Sequence, residues 1–507
     1  VVTGSTKTGT ATIATINPGA PTAISATPAS ISSGSSGTIS LAASGGGDGG
    51  TAVLTWYAGG CGSGTSIGSG SPLLISYPAS ATTYYARWEN GGVYSTCLNT
   101  TVTVANTFYS YQSGDWNTAN TWTTDPSGSF WVNGGIPSAA DNVVILNGRT
   151  ITVNENGKSV NSLELRLGGT LDLQTTMSHN FGTVIGQGVL KLASGNFPGG
   201  VYTGFVAVTG GTVEYYNLNN QSLSSTQLTY NKLIVSNYTA SACTTYLNNA
   251  SNNINYTVNG TFDLNKYGAG SLTFNFGNPI PSDNLINMTV AGNFNVASGC
   301  AIGVNNFATA HTLASSDVST SIVNPVHSLT LYGNLTNNGS VRFTGLPAPF
   351  NNAYYLLTTT ANGGTNYGDV QVIFTGATNN TVTCNGTTDF FRFIVEKGSD
   401  QTYSLDVNAS NSANFAIYGP NNQGNNNFAG YGYYYKALFL HYGTLKLNAN
   451  INIPSISEGG QDFLLNPSAC LWVNGANVST TVSGLNGTGY QAATFYGRLR
   501  VSAGQFS

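Results

Sequence analysis

The sequence predicts an all-β chain: a small β-sandwich, then a right-handed parallel β-helix interrupted by one long insertion. Three observations predict it. The dominant apolar period is two. Ala52-Val-Leu-Thr-Trp-Tyr57, Ser162-Leu-Glu-Leu-Arg-Leu167 and Lys446-Leu-Asn-Ala-Asn-Ile-Asn-Ile453 alternate wholly or in part, as half-buried strands do. Turn chemistry is dense, with Asn-Gly at ten places between 90–91 and 486–487, a dipeptide that suits tight turns. A short phrase returns along the chain: a Gly, one small or polar residue, then an alternating apolar strand. No segment carries the i, i+3, i+4 apolar repeat of a full-length helix.

Composition narrows the function classes. Of 507 residues only 34 are charged, 15 Lys+Arg and 19 Asp+Glu, where an average chain this long carries about 125. Hydrophobic content is 40%, so Gly, Ser, Thr and Asn replace the missing charge rather than apolar residues. A net charge of -4 and the lack of any Lys/Arg cluster exclude the electrostatic footprint of a nucleic-acid binder. The 28 Tyr, 22 Phe and 6 Trp argue against charge-driven disorder. The low content of Glu and Lys excludes coiled coils. No apolar run is long enough for a membrane-spanning helix.

Residues 1–20 read as a strand and linker. The start at Val1-Val2-Thr3, already strand-like and without a leader, predicts a mature or excised product. Residues 21–105 carry turn signals at intervals suited to a seven-stranded sandwich. Cys61 and Cys97 fall inside this compact segment and are the candidates for a structural disulfide. The other cysteines, at 243, 300, 384 and 470, lie apart and read as small buried hydrophobes. No C-x-x-C spacing occurs, so neither a zinc ribbon nor a thioredoxin-type motif is supported.

The motifs Pro21-Thr-Ala-Ile-Ser-Ala-Thr-Pro28, Leu54-Thr-Trp-Tyr57 and Thr82-Thr-Tyr-Tyr-Ala86 resemble the immunoglobulin-like modules repeated in secreted proteins of Bacteroidota. The cysteine positions differ from the antibody bridge, which is therefore not carried over. Residues 106–160 hold Ser113-Gly-Asp-Trp-Asn-Thr-Ala-Asn-Thr-Trp122 and Gly135-Ile-Pro-Ser-Ala-Ala-Asp-Asn-Val-Val-Ile145. These resemble the segment that opens parallel β-helix regions in large Bacteroidota surface proteins. The expected role is a cap, with Trp116, Trp122 and Trp131 covering the open end of the solenoid.

Residues 161–345 should form the β-helix itself. The repeated phrase begins at Gly169, Gly188, Gly211, Gly260, Gly292, Gly333 and Gly339. The first intervals, 19 and 23 residues, suit one coil each, and longer ones leave room for loops. Stacked Asn side chains should hydrogen-bond along the axis. Residues 346–435 break the pattern and are expected to be an insertion or irregular region. The phrase resumes at Gly443 and Gly497, so 436–507 should continue the helix. The chain ends just after a fresh strand phrase, which leaves two readings: a piece of a longer protein, or an open end that mates with a neighbour.

Reactive groups are scarce. His179, His311, His327 and His441 lie far apart, with no H-x-H or H-E-x-x-H spacing. No G-x-S-x-G elbow is present, and Gly59-Gly-Cys-Gly-Ser-Gly64 has the wrong spacing for a phosphate cradle. No catalytic residue, metal ligand or cofactor is assigned. Asp172, Glu214 and Asp263 follow the repeated Gly at the same offset, so they can stack on one solvated face; glycoside cleavage would need two such acids close together. Gly47-Asp48-Gly49 and Asp115 are weak calcium candidates. Tyr431, Tyr433, Tyr434 and Tyr435 stand in an aromatic run beside an Asn-rich loop, as sugar-stacking side chains or as alternate core residues.

The resemblance implies a secreted cell-surface protein of the kind exported by the type IX system, which includes gliding and attachment adhesins. The expected function is a structural or adhesive stalk, adhesin or self-assembling fibre subunit, and not an enzyme. Its expected partners are glycans, surfaces or further copies of itself. The alternative is a β-helix enzyme, a lyase or hydrolase acting on polysaccharides.

Overall fold

The computed structural model describes residues 17–48, 50–247, 252–280, 282–308, 326–345, 368–417, 438–456, 464–482 and 494–507. Among them there is no α-helix, only strands and two short 3-10 turns at Ala119–Thr121 and Ser412–Asn414. The chain divides into two compact units, one built mainly from residues 1–111 and 122–144, the other from 112–121, 145–158 and 163–507.

In the first unit, Ala23–Thr27, Thr38–Ser44 and Leu73–Ser76 form an antiparallel sheet. A second sheet runs in the order Ser30–Ser32, Leu98–Ala105, Thr82–Asn90, Val53–Ala58, Thr65–Ser69, with Val93–Tyr94 paired to Thr82–Asn90. Nine strands therefore stand where seven were expected. The two extra ones are the short pieces Ser30–Ser32 and Val93–Tyr94, which carry too little sequence to show a period. Alternation does the packing: Ile39 and Leu41 of one sheet meet Leu54, Trp56, Tyr84, Ala86 and Val102 of the other in one core. The buried Trp56 donates from Nε1 to the Gly70 carbonyl at 2.8 Å.

Cys61 and Cys97 are joined by a disulfide with a Cα–Cα distance of 5.9 Å and a sequence separation of 36. Closing a loop of that length removes denatured-state entropy worth about 2–4 kcal/mol. Cys61→Ser with Cys97→Ser should lower the stability of this unit by that amount in denaturant melts. Equal midpoints for the two forms would contradict this expectation.

The second unit is parallel. Twenty-one strands from Gly114–Asp115 to Arg498–Phe506 are joined by hydrogen bonds into one sheet, and seven more form a second. Residues in matching positions of successive strands lie in register. One apolar column runs Ile151, Leu171, Leu190, Val213, Leu233, Phe262, Phe294, Leu335, Val382, Val407, Leu447, Val473. Every member is at most 1% exposed. Two other columns accompany it: Tyr256, Met288, Leu329, Val372, Phe393, and Phe274, Ile302, Val341. Long parallel sheets with three repeating columns fit a parallel β-helix.

The repeated glycine is explained by close approach. A Cβ on Gly292 would lie 2.6 Å from the Gly260 carbonyl group, and one on Gly333 would lie 2.2 Å from Gly292 O. These corners stack backbone on backbone, so no side chain fits. Side-chain amides also bond along the axis: Asn287 Nδ2 donates to Asn255 Oδ1 at 2.9 Å, and Ser328 Oγ donates to Asn287 Oδ1 at 2.7 Å.

The expected insertion at 346–435 is corrected. Val370–Gly376, Asn380–Cys384, Thr388–Phe390, Arg392–Lys397 and Ser404–Ala409 continue the same parallel registers. Apart from Gly368-Asp-Val-Gln-Val372, these strands lack the leading glycine phrase, which is why the region reads as irregular. Residues 346–367 and 418–437 lie outside the described part, as does the expected strand at 1–16. The three expected cap tryptophans differ in exposure. Trp116 and Trp122 are fully buried, whereas Trp131 is 50% exposed. Trp116 packs against Phe181 at 5.9 Å within the second unit.

Candidate functional site

The acids singled out in the sequence do share a face. The outward column reads Asp172, Lys191, Glu214, Ile234, Asp263, Asn295. Each residue is fixed by strand alternation, since its neighbours Leu171, Leu190 and Val213 point inward. Asp172 and Glu214 flank Lys191, two strand spacings or about 10 Å apart along the backbone. Asp263 is separated from them by Ile234 and accepts instead from Asn295 Nδ2 at 2.7 Å.

Three tyrosines complete this cluster. Tyr216 donates to Asp172 Oδ1 at 2.9 Å. Tyr238 donates to Glu214 Oε1 at 3.0 Å, and Ser236 Oγ donates to the same oxygen at 2.6 Å. Lys191 Nζ lies 3.4 Å from Glu214 Oε2, 5.0 Å from the Tyr216 ring and 4.6 Å from the Tyr238 ring. Tyr267 packs against Tyr238 with tilted rings 4.7 Å apart and is 58% exposed. Burial, and then the neighbouring carboxylates, push the Tyr216 and Tyr238 phenols well above their usual range. Both stay protonated and serve as donors.

Chemically, the lysine offsets one of the two carboxylates, and hydrogen bonds occupy both. Glu214 is occupied by a hydroxyl, a phenol and an ammonium, and Asp172 by a phenol and the Gln174 backbone N–H at 2.9 Å. Cross-strand partners of opposite charge stabilise a sheet, and this arrangement does so over three strands. A second column repeats the device: Asp406, Lys446, Trp472, Arg500. Lys446 pairs with Asp406 at 3.1 Å, and Lys446 and Arg500 lie 4.7 Å and 3.8 Å from the Trp472 ring.

The other singled-out residues have structural surroundings. His179 Nδ1 accepts from the Lys158 N–H at 3.1 Å, and the ring stacks on Phe181. Burial lowers its pKa. His327 Nδ1 accepts from Ile286 N–H at 3.0 Å. His441 contacts Glu396 at 2.7 Å, and His311 is outside the described residues. Asp48 ties a turn, accepting from the N–H groups of Gly50, Thr51 and Ala52, and these bonds hold its carboxyl well below the usual range. Among the described residues no three His, Cys, Asp or Glu gather as a metal site. Cys243, Cys300, Cys384 and Cys470 are buried free thiols. Tyr431, Tyr433, Tyr434 and Tyr435 lie outside the described residues.

Sequence reading missed Lys191 and the tyrosines. Lys191 was legible: it stands three residues after Gly188, the offset of Asp172 from Gly169 and of Glu214 from Gly211. Tyr238 and Tyr267 stand one residue past the strands Lys232–Asn237 and Phe262–Lys266, outside the offset that places the acids. Comparison with protein-family models, with curated proteins and with solved structures gives no match to this chain.

Proposed function

We propose that this chain is part of an extracellular adhesive or structural surface protein, in which a parallel β-helix acts as a stiff stalk behind an immunoglobulin-like module. The apolar column of twelve stacked side chains carries the reading. Such a column resists bending because each coil is bonded to its neighbours through its whole strand length. The outer faces are tiled with hydroxyl and amide groups, and several of their few charges are paired, as Lys191–Glu214, Arg342–Asp389 and Lys446–Asp406 are. A surface of this kind meets sugars, other surfaces or further copies of the chain with little electrostatic repulsion. The Cys61–Cys97 bridge supports an oxidising, extracellular location, and the resemblance to type IX-exported adhesins points the same way.

The test is mechanical. Beads coated with the protein should stay on polysaccharide-coated glass under a shear that removes albumin-coated beads. Equal detachment of the two would remove the adhesive reading.

A second reading, a polysaccharide-cleaving enzyme, has one observation in its favour: two carboxylates and a lysine on three adjacent strands. Release of new reducing or unsaturated ends from the same polysaccharides, lost in Glu214→Gln, would favour it. The closed hydrogen bonding of Glu214 and Asp172 speaks for the stalk.

A further inference from the structure

We propose that the loop spanning residues 125–141 is a saccharide-binding platform, on which Trp131 and Phe130 stack against a neutral sugar chain. This rests on the loop alone and does not need the stalk reading.

The loop is clamped at both ends by its own carboxylates. Asp125 Oδ2 accepts from Ser127 Oγ at 2.6 Å, Phe130 N–H at 2.9 Å and Ser129 N–H at 3.0 Å. Asp141 Oδ2 accepts from Ser138 N–H at 2.8 Å and Ser138 Oγ at 2.7 Å, and its Oδ1 accepts from Asn106 N–H at 2.9 Å. Between them, the buried Thr123 hydroxyl donates to the Phe130 carbonyl at 2.7 Å and accepts from Val132 N–H at 3.0 Å. The backbone on both sides of Trp131 is thus fixed.

The side chains on this fixed backbone face water. Phe130 is 71% exposed, Trp131 50%, Val132 43% and Ile136 49%. The indole rests on Gly134, where a Cβ would meet it at 2.5 Å. Glycine at 134 therefore sets where the ring lies. Ordinary loops bury or omit large apolar residues, so a rigid loop displaying four of them is organised for contact.

The chemistry selects the occupant. Residues 126–140 contain no charged side chain, and the two flanking carboxylates are spent on loop donors. Nothing in the loop attracts a phosphate, a charged peptide or an anionic lipid surface. The four side chains offer on the order of 400 Å2 of apolar surface, about half of what each partner gives to a stable protein interface. Aromatic faces flanked by Ser and Asn suit the C–H face and hydroxyls of an uncharged sugar.

The experiment is affinity electrophoresis of the full chain in gels containing laminarin, a neutral mannan or the uronate polymer alginate. At least one neutral polymer should retard the protein and alginate should not. Trp131→Ala should weaken the retardation by about tenfold, the loss of one ring's contribution. Gly134→Ala, which keeps the indole but displaces it, should also weaken it. Both sites are at the surface, and an unchanged circular dichroism spectrum identifies a folded variant. Four results would each overturn the proposal. They are no retardation by either neutral polymer, equal retardation by alginate, full binding in both variants, and a wild-type dimer in sedimentation that Trp131→Ala dissociates. The last would make a second copy of the chain the occupant.

Discussion

Phe262→Ala should destabilise the second unit by about 3–5 kcal/mol, the range for removing a buried aromatic side chain from a packed core. Phe262 is fully buried and lies in the apolar column between Leu233 and Phe294. Its ring stacks on Phe294 at 4.6 Å and meets the Phe274 edge at 5.0 Å. The neighbouring coils are bonded strand to strand through their backbones, so they cannot close onto the vacated space. Phe262→Leu keeps most of the volume and should cost less than half as much. The effect should also be local, because each coil contacts only its neighbours. Hydrogen exchange should rise most over residues 233–294 and far less beyond 370. A loss below about 1 kcal/mol in urea unfolding would mean that the column is not the source of cohesion.

A comparable loss is expected at a corner. Asn237 is fully buried. Its Nδ2 donates to the carbonyls of Ser241 at 2.9 Å, Gly270 at 3.1 Å and Ser271 at 2.9 Å, while its Oδ1 accepts from Thr239 N–H at 2.8 Å. One side chain therefore satisfies backbone groups from its own turn and from the next coil. Asn237→Ala leaves these groups without partners, at a cost of about 3 kcal/mol for buried polar groups of this kind. Asn237→Asp is the sharper variant. It preserves shape but replaces the donor with an anion facing three carbonyl oxygens, so it should be more damaging than alanine at neutral pH. If volume mattered and hydrogen bonding did not, aspartate would be the milder change. Unfolding curves of the two variants, run side by side, decide between these orders. Asn337 has the same role, donating to Gly386 O at 3.2 Å, Thr387 O at 2.7 Å and Thr388 Oγ1 at 2.9 Å.

These two residues show unequal legibility. Phe262 was visible in advance, because Gly260-Thr-Phe-Asp-Leu matches the repeated phrase and its third residue points inward by alternation. Asn237 was not. Asparagine is so common here that nothing in Val235-Ser-Asn-Tyr238 separates an interior bridge from a surface turn. The acid face was half visible. The shared offset places Asp172 and Glu214 in one column, but Tyr216 lies beyond the quoted phrase in its strand and Tyr238 follows a strand that lacks it. The sequence groups Trp116, Trp122 and Trp131 as cap residues and gives no sign that their exposures differ. Trp116 and Trp122 are buried; Trp131 is held outside by the hydrogen bonds of Asp125 and Thr123.

The sequence by itself determined the all-β class, the inward and outward alternation and the corner glycines, because a period of two and a missing Cβ are local properties of the chain. It also showed that charge is scarce. Only the tertiary structure decided how successive strands align: that Tyr216 and Tyr238 reach the carboxylates of Asp172 and Glu214, that Asn237 reaches a carbonyl 34 residues away, and that residues 368–417 continue the parallel registers. Register between strands depends on the length and path of each intervening loop. Those loops vary and carry no period, so stacking emerges only when each strand pairs with its neighbour in the sheet.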